Sequence, residues 1–164
     1  RLRAAGVRAK MDDSDNSPGW KYAEYEMKGV PLRVEIGPKD LEKEQCVIAR
    51  RDTGEKVFVP LAELEETVKR LLDAVHDNMY AMALKNREEN TFDITSPAEA
   101  KAVVSGKGGF LRSKWCGSLE CELAMKEQAG VSSRCMPLEQ SGTEGVCPVC
   151  GKKCATDIYW GVAY

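Results

Sequence analysis

Six of the seven cysteines lie between Cys116 and Cys154, and four of them form two short pairs, Cys116-x4-Cys121 and Cys147-x2-Cys150. No other feature restricts the fold as much. Two short loops that each offer two thiolates meet the tetrahedral demand of zinc with little backbone strain. In Cys147-Pro148-Val149-Cys150-Gly151-Lys152 the two-residue spacing lets backbone amides point at the sulfurs, the glycine permits the turn, and lysines offset part of the negative charge. The wider pair is still within the spacings of structural sites. The expected ligands are Cys116, Cys121, Cys147 and Cys150. A site closed by four sulfurs leaves no open position for water, so its metal should hold the fold and do no chemistry. Buried or disulfide-bonded thiols are the competing explanation, and the clustering of the pairs argues against it. Cys135 and Cys154 can in principle replace one ligand. Cys135 reads as a core thiol in a strand, Cys154 follows a loop that already has its pair, and Cys46 belongs to a strand of its own.

With 164 residues the chain has room for one ordinary domain and a small appendage. Its 43% hydrophobic and 30% charged residues are the balance of a chain that folds. A formal charge of -2 offers no bulk attraction for a phosphate backbone, so any nucleic-acid binding must be local and geometrically specific. No apolar run reaches the ~18 residues that span a bilayer, and Arg1 to Lys10 lacks the apolar stretch of a secretion signal. The expectation is a cytoplasmic protein with no membrane partner.

Arg1-Leu2-Arg3-Ala4-Ala5-Gly6 reads like the last turns of a helix ending at a C-cap glycine, as if the chain continued a longer one. Val7 to Met11 suits a short strand, the run from Asp12 to Gly19 a loop, and Trp20 to Lys28 a helix closed by Gly29. Pro31 to Ile36 alternates like a strand, with Leu32, Val34 and Ile36 on one face and Arg33 and Glu35 on the other. Cys46 to Arg50 and Lys56 to Val59 flank Arg51-Asp52-Thr53-Gly54-Glu55 as a hairpin. From Leu61 to about Asn90, Leu64, Val68, Leu71, Leu72, Val75, Met79 and Met82 recur at helical steps, predicting one long helix whose apolar stripe lies on the sheet. Ser96-Pro97-Ala98-Glu99 is a capping box that starts a new helix running to about Val104, and it marks the expected domain boundary. Phe110 to Trp115, Ser132 to Leu138 and Asp157 to Tyr164 are predicted strands, and Glu120 to Gln128 a predicted helix stopped by Gly130.

Other candidates for chemistry are sparse. His76, the only histidine, lies mid-helix with no nucleophile to serve and reads as structural or solvent-facing. Gly106, Gly108 and Gly109 lack the spacing of a phosphate loop and read as a linker. Between Trp20 and Asp40, aromatic, acidic and basic groups mix: Trp20, Tyr22, Tyr25, Glu26, Lys28, Arg33, Lys39 and Asp40. Single-stranded RNA is read by stacking bases on such rings, while guanine offers donors that suit carboxylates and acceptors that suit Arg or Lys. On pattern alone a solvated face of mixed charge explains the same residues.

The run Ser17-Pro18-Gly19-Trp20-Lys21-Tyr22-Ala23-Glu24-Tyr25-Glu26, continuing through Pro31-Leu32-Arg33-Val34-Glu35-Ile36-Gly37-Pro38-Lys39-Asp40 and Arg50-Arg51-Asp52-Thr53-Gly54-Glu55-Lys56, closely resembles the anticodon-binding domain of prolyl-tRNA synthetases. The two cysteine pairs and Arg134-Cys135-Met136-Pro137 resemble the zinc-containing C-terminal domain of the archaeal and eukaryotic type. The resemblance implies an α/β anticodon-binding domain over residues 1–95, a mixed sheet with flanking helices truncated at its N-terminus, followed by a small α+β zinc-binding domain over 96–164. It implies that Tyr22 stacks near the anticodon, that Glu26 and Asp40 accept guanine N–H groups, and that Arg33 and Lys39 donate to guanine acceptors. The family's zinc ligands fall on Cys116, Cys121, Cys147 and Cys150, and its final tyrosine, which reaches toward the catalytic domain, falls on Tyr164.

Members of that family are cytoplasmic homodimers that activate proline with ATP and Mg and charge tRNA(Pro). Their catalytic domain has no counterpart here, nor do the first strand and most of the first helix of the anticodon domain. The implied role is recognition of tRNA(Pro) without ligase activity of its own, with an exposed sheet edge as a cost to stability. A zinc-stabilised protein-interaction module without tRNA affinity is the alternative. A redox or metal-trafficking protein would instead require labile metal.

Overall fold

The computed structural model describes residues 1–163, and Tyr164 lies outside the described residues. The chain divides into two compact units, Arg1–Ala83 and Leu84–Tyr164.

The first unit opens on a helical turn that ends as its sequence suggests. Gly6, at φ +83°, donates to the Arg3 carbonyl, and Val7 donates to that of Leu2. This pair of bonds is a Schellman stop, and Leu2 and Val7 both pack on the core beside it. The same stop recurs at Gly29, where Val30 donates to Tyr25 and Gly29 to Glu26 at the end of α1 (Pro18–Met27). At the other end of α1, the Ser17 hydroxyl accepts from the Trp20 amide.

Three antiparallel strands follow in the order β1 (Leu32–Glu35), β2 (Gln45–Arg50) and β3 (Lys56–Pro60). Between β1 and β2 lies a five-residue helix, α2 (Pro38–Glu42), that strand periodicity did not anticipate. A 3-10 turn at Leu61–Glu63 leads into the long helix α3 (Leu64–Glu89). One face of the sheet carries Cys46, Ile48 and Val59, which pack with Leu64, Val68 and Leu71 of α3.

Two expectations for this unit are corrected. Residues Val7 to Met11 form no strand, because no sheet partner meets them among the described residues; only Val7 packs on the core, and Met11 is 77% exposed. The apolar stripe of α3 is buried only from Leu64 to Val75, while Met79 and Met82 are exposed. The reason is length. Six-residue β2 spans about 20 Å, whereas the 26 residues of α3 span about 39 Å, so the sheet underlies only half the helix.

The second unit is a four-stranded sheet in the order β4-β5-β9-β6, together with a two-stranded hairpin. Here β4 (Thr91–Asp93) runs parallel to β5 (Phe110–Trp115), and α4 (Pro97–Ser105) makes the crossover between them. Ser96 caps α4 by accepting from the Glu99 amide, and the Glu99 carboxylate reaches back to the Thr95 amide and hydroxyl. Next come α5 (Leu119–Ala129), stopped by Gly130 at φ +72°, and β6 (Ser132–Cys135). The hairpin pairs β7 (Gly145–Val146) with β8 (Lys153–Cys154), and β9 (Thr156–Gly161) fills the sheet between β5 and β6. Its core joins Leu111, Ile158 and Trp160 of the sheet to Ala100, Met125 and Ala129 of the helices. The buried Trp160 indole donates to Ser113 Oγ at 2.9 Å, which satisfies its buried N–H.

Predicted strands here were too long. β6 stops at Cys135 after a register shift between Ser133 and Cys135, and Pro137 has no amide hydrogen to extend the ladder. With it Cys135, expected in the core, is exposed, since the irregularity falls on an edge strand. β9 ends at Gly161, before Val162 and Ala163; Tyr164, where the predicted strand ends, lies outside the described residues. No helix among the described residues is long and apolar enough to cross a membrane.

Candidate metal centre and nucleic-acid interface

The sulfurs of Cys116, Cys121, Cys147 and Cys150 all lie within 4.8 Å of one another. Cys116 follows the end of β5, where Gly117 at φ +83° turns the chain and the Trp115 indole donates to the Ser118 carbonyl. Cys121 stands in the first turns of α5 and is buried. The other pair sits in the loop of the β7-β8 hairpin, closed by Cys147 N–H to Lys152 O and Gly151 N–H to Cys147 O, both 2.9 Å. Gly151 adopts φ +68°, the left-handed conformation such a loop requires.

These four thiols can hold a metal ion. Sγ separations of 3.6 Å (Cys116 to Cys121) and 3.7 Å (Cys116 to Cys150) are far beyond a disulfide bond. They match the edge of a tetrahedron with metal–sulfur bonds of about 2.3 Å, which is about 3.8 Å. Burial pushes the Cys121 thiol up to about 12, aided by hydrogen bonds with its neighbouring sulfurs. Burial also opposes ionisation of Cys147, but backbone amides of Cys150, Val149 and Cys116 outweigh it and bring that thiol down to about 7. Cys154 is half-buried nearby and outside the cluster, and Cys46 is fully buried in the other unit.

In the first unit, α1 and β1 bring Tyr22, Glu26 and Arg33 together. The Arg33 guanidinium lies over the Tyr22 ring, 3.8 Å from its centroid, while Arg33 Nη1 donates to Glu26 Oε1 at 2.7 Å. Glu26 and Arg33 are paired because α1 and β1 meet across the Gly29 stop, seven residues apart. Two residues the sequence reading did not assign complete the cluster. Glu35 accepts from Arg33 Nε at 2.9 Å, and Lys56 Nζ donates to Glu35 Oε2 at 3.3 Å. Glu35 had a legible signal, since it shares a strand face with Arg33 by simple alternation. Lys56 had none, because its place depends on hairpin register.

Burial alone would lower the Arg33 pKa, yet its bonds to Glu26 and Glu35 raise it above the ordinary value. For Glu35 burial acts upward, and the bonds from Arg33 and Lys56 overcome it and hold the carboxylate below its usual range. A cavity of about 80 Å³ opens beside this cluster, lined by Tyr25, Glu26, Val30, Arg33, Ala49, Arg50, Arg51, Gly54 and Lys56.

Lys39 and Asp40 stand apart on α2. Asp40 Oδ2 accepts from the Gly37 amide at 3.0 Å and Oδ1 from Gln45 Nε2 at 3.2 Å, and these bonds, the backbone one first, lower its pKa. Its carboxylate thus caps α2. Lys39 is exposed and forms no ion pair among the described residues. His76 is exposed on α3, consistent with a solvent-facing role.

Residues 1–71 match the family model of the anticodon binding domain, and residues 97–164 match that of the prolyl-tRNA synthetase C-terminal region. The chain is 50% identical over 158 residues to proline--tRNA ligase 2 of Bacillus thuringiensis (strain Al Hakam), covering 96% of this chain and 33% of that protein. To proline--tRNA ligase of Clostridium botulinum (strain Loch Maree / Type A3) it is 51% identical over the same shares. Among solved structures, prolyl-tRNA synthetase from Cryptosporidium parvum, complexed with L-proline and AMP, superposes with a TM-score of 0.91 at 31% identity, over 99% of this chain and 35% of that one. The chain thus spans about a third of the length of the relatives it matches. With a mixed α/β fold matching throughout and both family models in sequence, the chain belongs to the prolyl-tRNA synthetase family, carrying its anticodon-binding domain and C-terminal region.

Proposed function

We propose that this chain recognises the anticodon of tRNA(Pro) on behalf of a cytoplasmic, homodimeric proline--tRNA ligase that activates proline with ATP. The convergence of Tyr22, Glu26 and Arg33 carries this reading: an aromatic ring, a carboxylate and a guanidinium meet at one place on the anticodon-binding domain. Glu26 is exposed and uses Oε1 for Arg33, leaving Oε2 for a guanine N–H. Arg33 spends Nε and Nη1 on protein carboxylates, which leaves Nη2 for a guanine acceptor. Lys39 and Asp40 would extend the same surface from α2, Asp40 through the lone pairs its capping role leaves over.

In this reading residues 1–95 act as the anticodon-binding domain and 96–164 as a zinc-binding C-terminal domain. Cys116, Cys121, Cys147 and Cys150 would hold the zinc. A zinc ion closed by four thiolates supplies cross-linking of β5, α5 and the β7-β8 hairpin and no catalysis. The sulfur spacing and the all-thiol donor set support zinc over harder cations. The alternative of a protein-interaction module without tRNA affinity has no comparable support from the relatives.

The test is binding of a tRNA(Pro) transcript against one with both anticodon guanines replaced. At about 1–3 kcal/mol of discrimination per base, the second should bind at least about 30-fold more weakly. Equal affinities would overturn the reading.

A further inference from the structure

The face of the β1-β2-β3 sheet opposite the core is arranged so that three long side chains meet. Arg33 is opposite Ala49, and Ala49 is opposite Lys56, so the three form one row across the sheet; Glu35, Val47 and Phe58 form the next. Directly opposed residues, and residues two apart on a strand, share a face. Ala49, buried between two long cations, contributes only a methyl group and leaves them room to converge. Glu35 joins the rows: its Oε1 takes Arg33 Nε at 2.9 Å, and Lys56 Nζ lies 3.2 Å from the same oxygen and 3.3 Å from Oε2.

We propose that Glu35 is a positioning residue for anticodon readout, bracing Arg33 and Lys56 so that the Arg33 guanidinium stays over Tyr22 with its Nη2 edge presented to a guanine. The inference rests on the tRNA reading above. A carboxylate on a surface that faces RNA works against binding by its charge alone. Both of its oxygens are already taken by cations, so Glu35 is poorly placed to read a base. Its contribution is preorganisation: a guanidinium held at two points, by Glu35 and by Glu26, loses less freedom when a base docks.

The sign of the charge gives the test. In the whole chain, Glu35→Gln keeps the side-chain volume and removes the negative charge, while Glu35→Asp keeps the charge on a stem one methylene shorter. Fluorescence anisotropy with tRNA(Pro) transcripts, with the anticodon guanines intact or replaced, measures both affinity and discrimination. Positioning predicts that each variant loses about tenfold in affinity for the guanine transcript, with little change for the replaced one and an unchanged melting temperature. It also predicts that Glu35→Gln adds no loss on an Arg33→Ala background. Tighter or equal binding by Glu35→Gln would overturn it, as would full affinity in Glu35→Asp or additive loss with Arg33→Ala. Should Glu35→Gln lower the melting temperature, Glu35→Asp decides by the same criteria. Equal wild-type affinity for both transcripts would overturn the tRNA reading and this inference with it. Wild-type discrimination that both variants retain would overturn this inference alone.

Discussion

A side chain on Gly109 would place its Cβ 2.4 Å from the carbonyl oxygen of Asn90, at a backbone φ of +116° that L residues rarely adopt. The contact sits where Phe110 N–H bonds the same carbonyl at 2.8 Å, starting the parallel pairing of β4 with β5. The pair of strands can begin only if residue 109 lacks a side chain.

Gly109→Ala should therefore destabilise the second unit by at least about 2 kcal/mol through strain and overlap with backbone that cannot yield. Gly108, at φ +75° with nothing within 4 Å of its added Cβ, is the control. Gly108→Ala should cost only about 1 kcal/mol, the price of the left-handed conformation alone. Urea denaturation of both variants checks the difference, and equal costs would show that the Asn90 contact is unimportant.

Acid should weaken the first unit through Asp52. Its carboxylate is buried, accepts Arg50 at 3.1 and 2.7 Å and Asn78 at 2.7 Å, and Arg50 first among these brings its pKa down from 3.8 to about 2. A pKa lowered by folding means the native state binds fewer protons than the unfolded one, so the stabilisation is complete above about pH 4 and lost as pH falls toward 2. Asp52→Asn should be less stable near neutrality and show a flatter acid limb. Chemical denaturation between pH 2 and 7 measures it; parallel profiles for wild type and variant would refute the assignment.

Metal analysis of the purified chain should give one zinc per chain. Cys121→Ser, which removes a buried sulfur of the cluster, should lose the metal and lower the melting temperature, whereas Cys135→Ser and Cys154→Ser should keep it. Binding requires deprotonated thiols, so affinity should fall as pH falls, because Cys121 is pushed up to about 12 by burial and must release its proton to the metal. Zinc retained in Cys121→Ser would show that a different ligand set is used.

At the cluster of Tyr22, Glu26, Arg33 and Glu35, where the anticodon is proposed to dock, Arg33→Lys keeps the charge and removes the planar fork that spans the other three. Affinity for the guanine transcript should fall about tenfold, with the salt dependence of binding unchanged because the number of cations is unchanged. Anisotropy titrations at several salt concentrations check both parts. A loss confined to the salt slope would point to phosphate contact instead of base recognition.

The elements legible in the residues were those specified locally. Ser96 announces a helix start, Gly6, Gly29 and Gly130 announce stops, and each acts within a turn of chain in the structure. The close approach of Cys116, Cys121, Cys147 and Cys150 was legible for the same reason, since each pair is local and a metal-sized gap is what remains when two such pairs face each other. Three-residue β4 and five-residue α2 were missed because so few residues carry no periodicity to read.

The amino-acid sequence by itself determined the caps, the strand and helix periods, and which side chains could do chemistry, because these depend on neighbours a few residues away. Only the tertiary structure decided which of those side chains meet. Lys56 reaches Glu35 because hairpin register sets it across Ala49 from Arg33, and Asp40 is drawn into capping Gly37 because α2 forms there. Met79 and Met82 stay exposed because the strands beneath α3 are shorter than the helix, and Cys135 surfaces because an edge strand slips register. Each outcome depends on register, length or edge position, quantities set by contacts between distant segments and absent from any local run of residues.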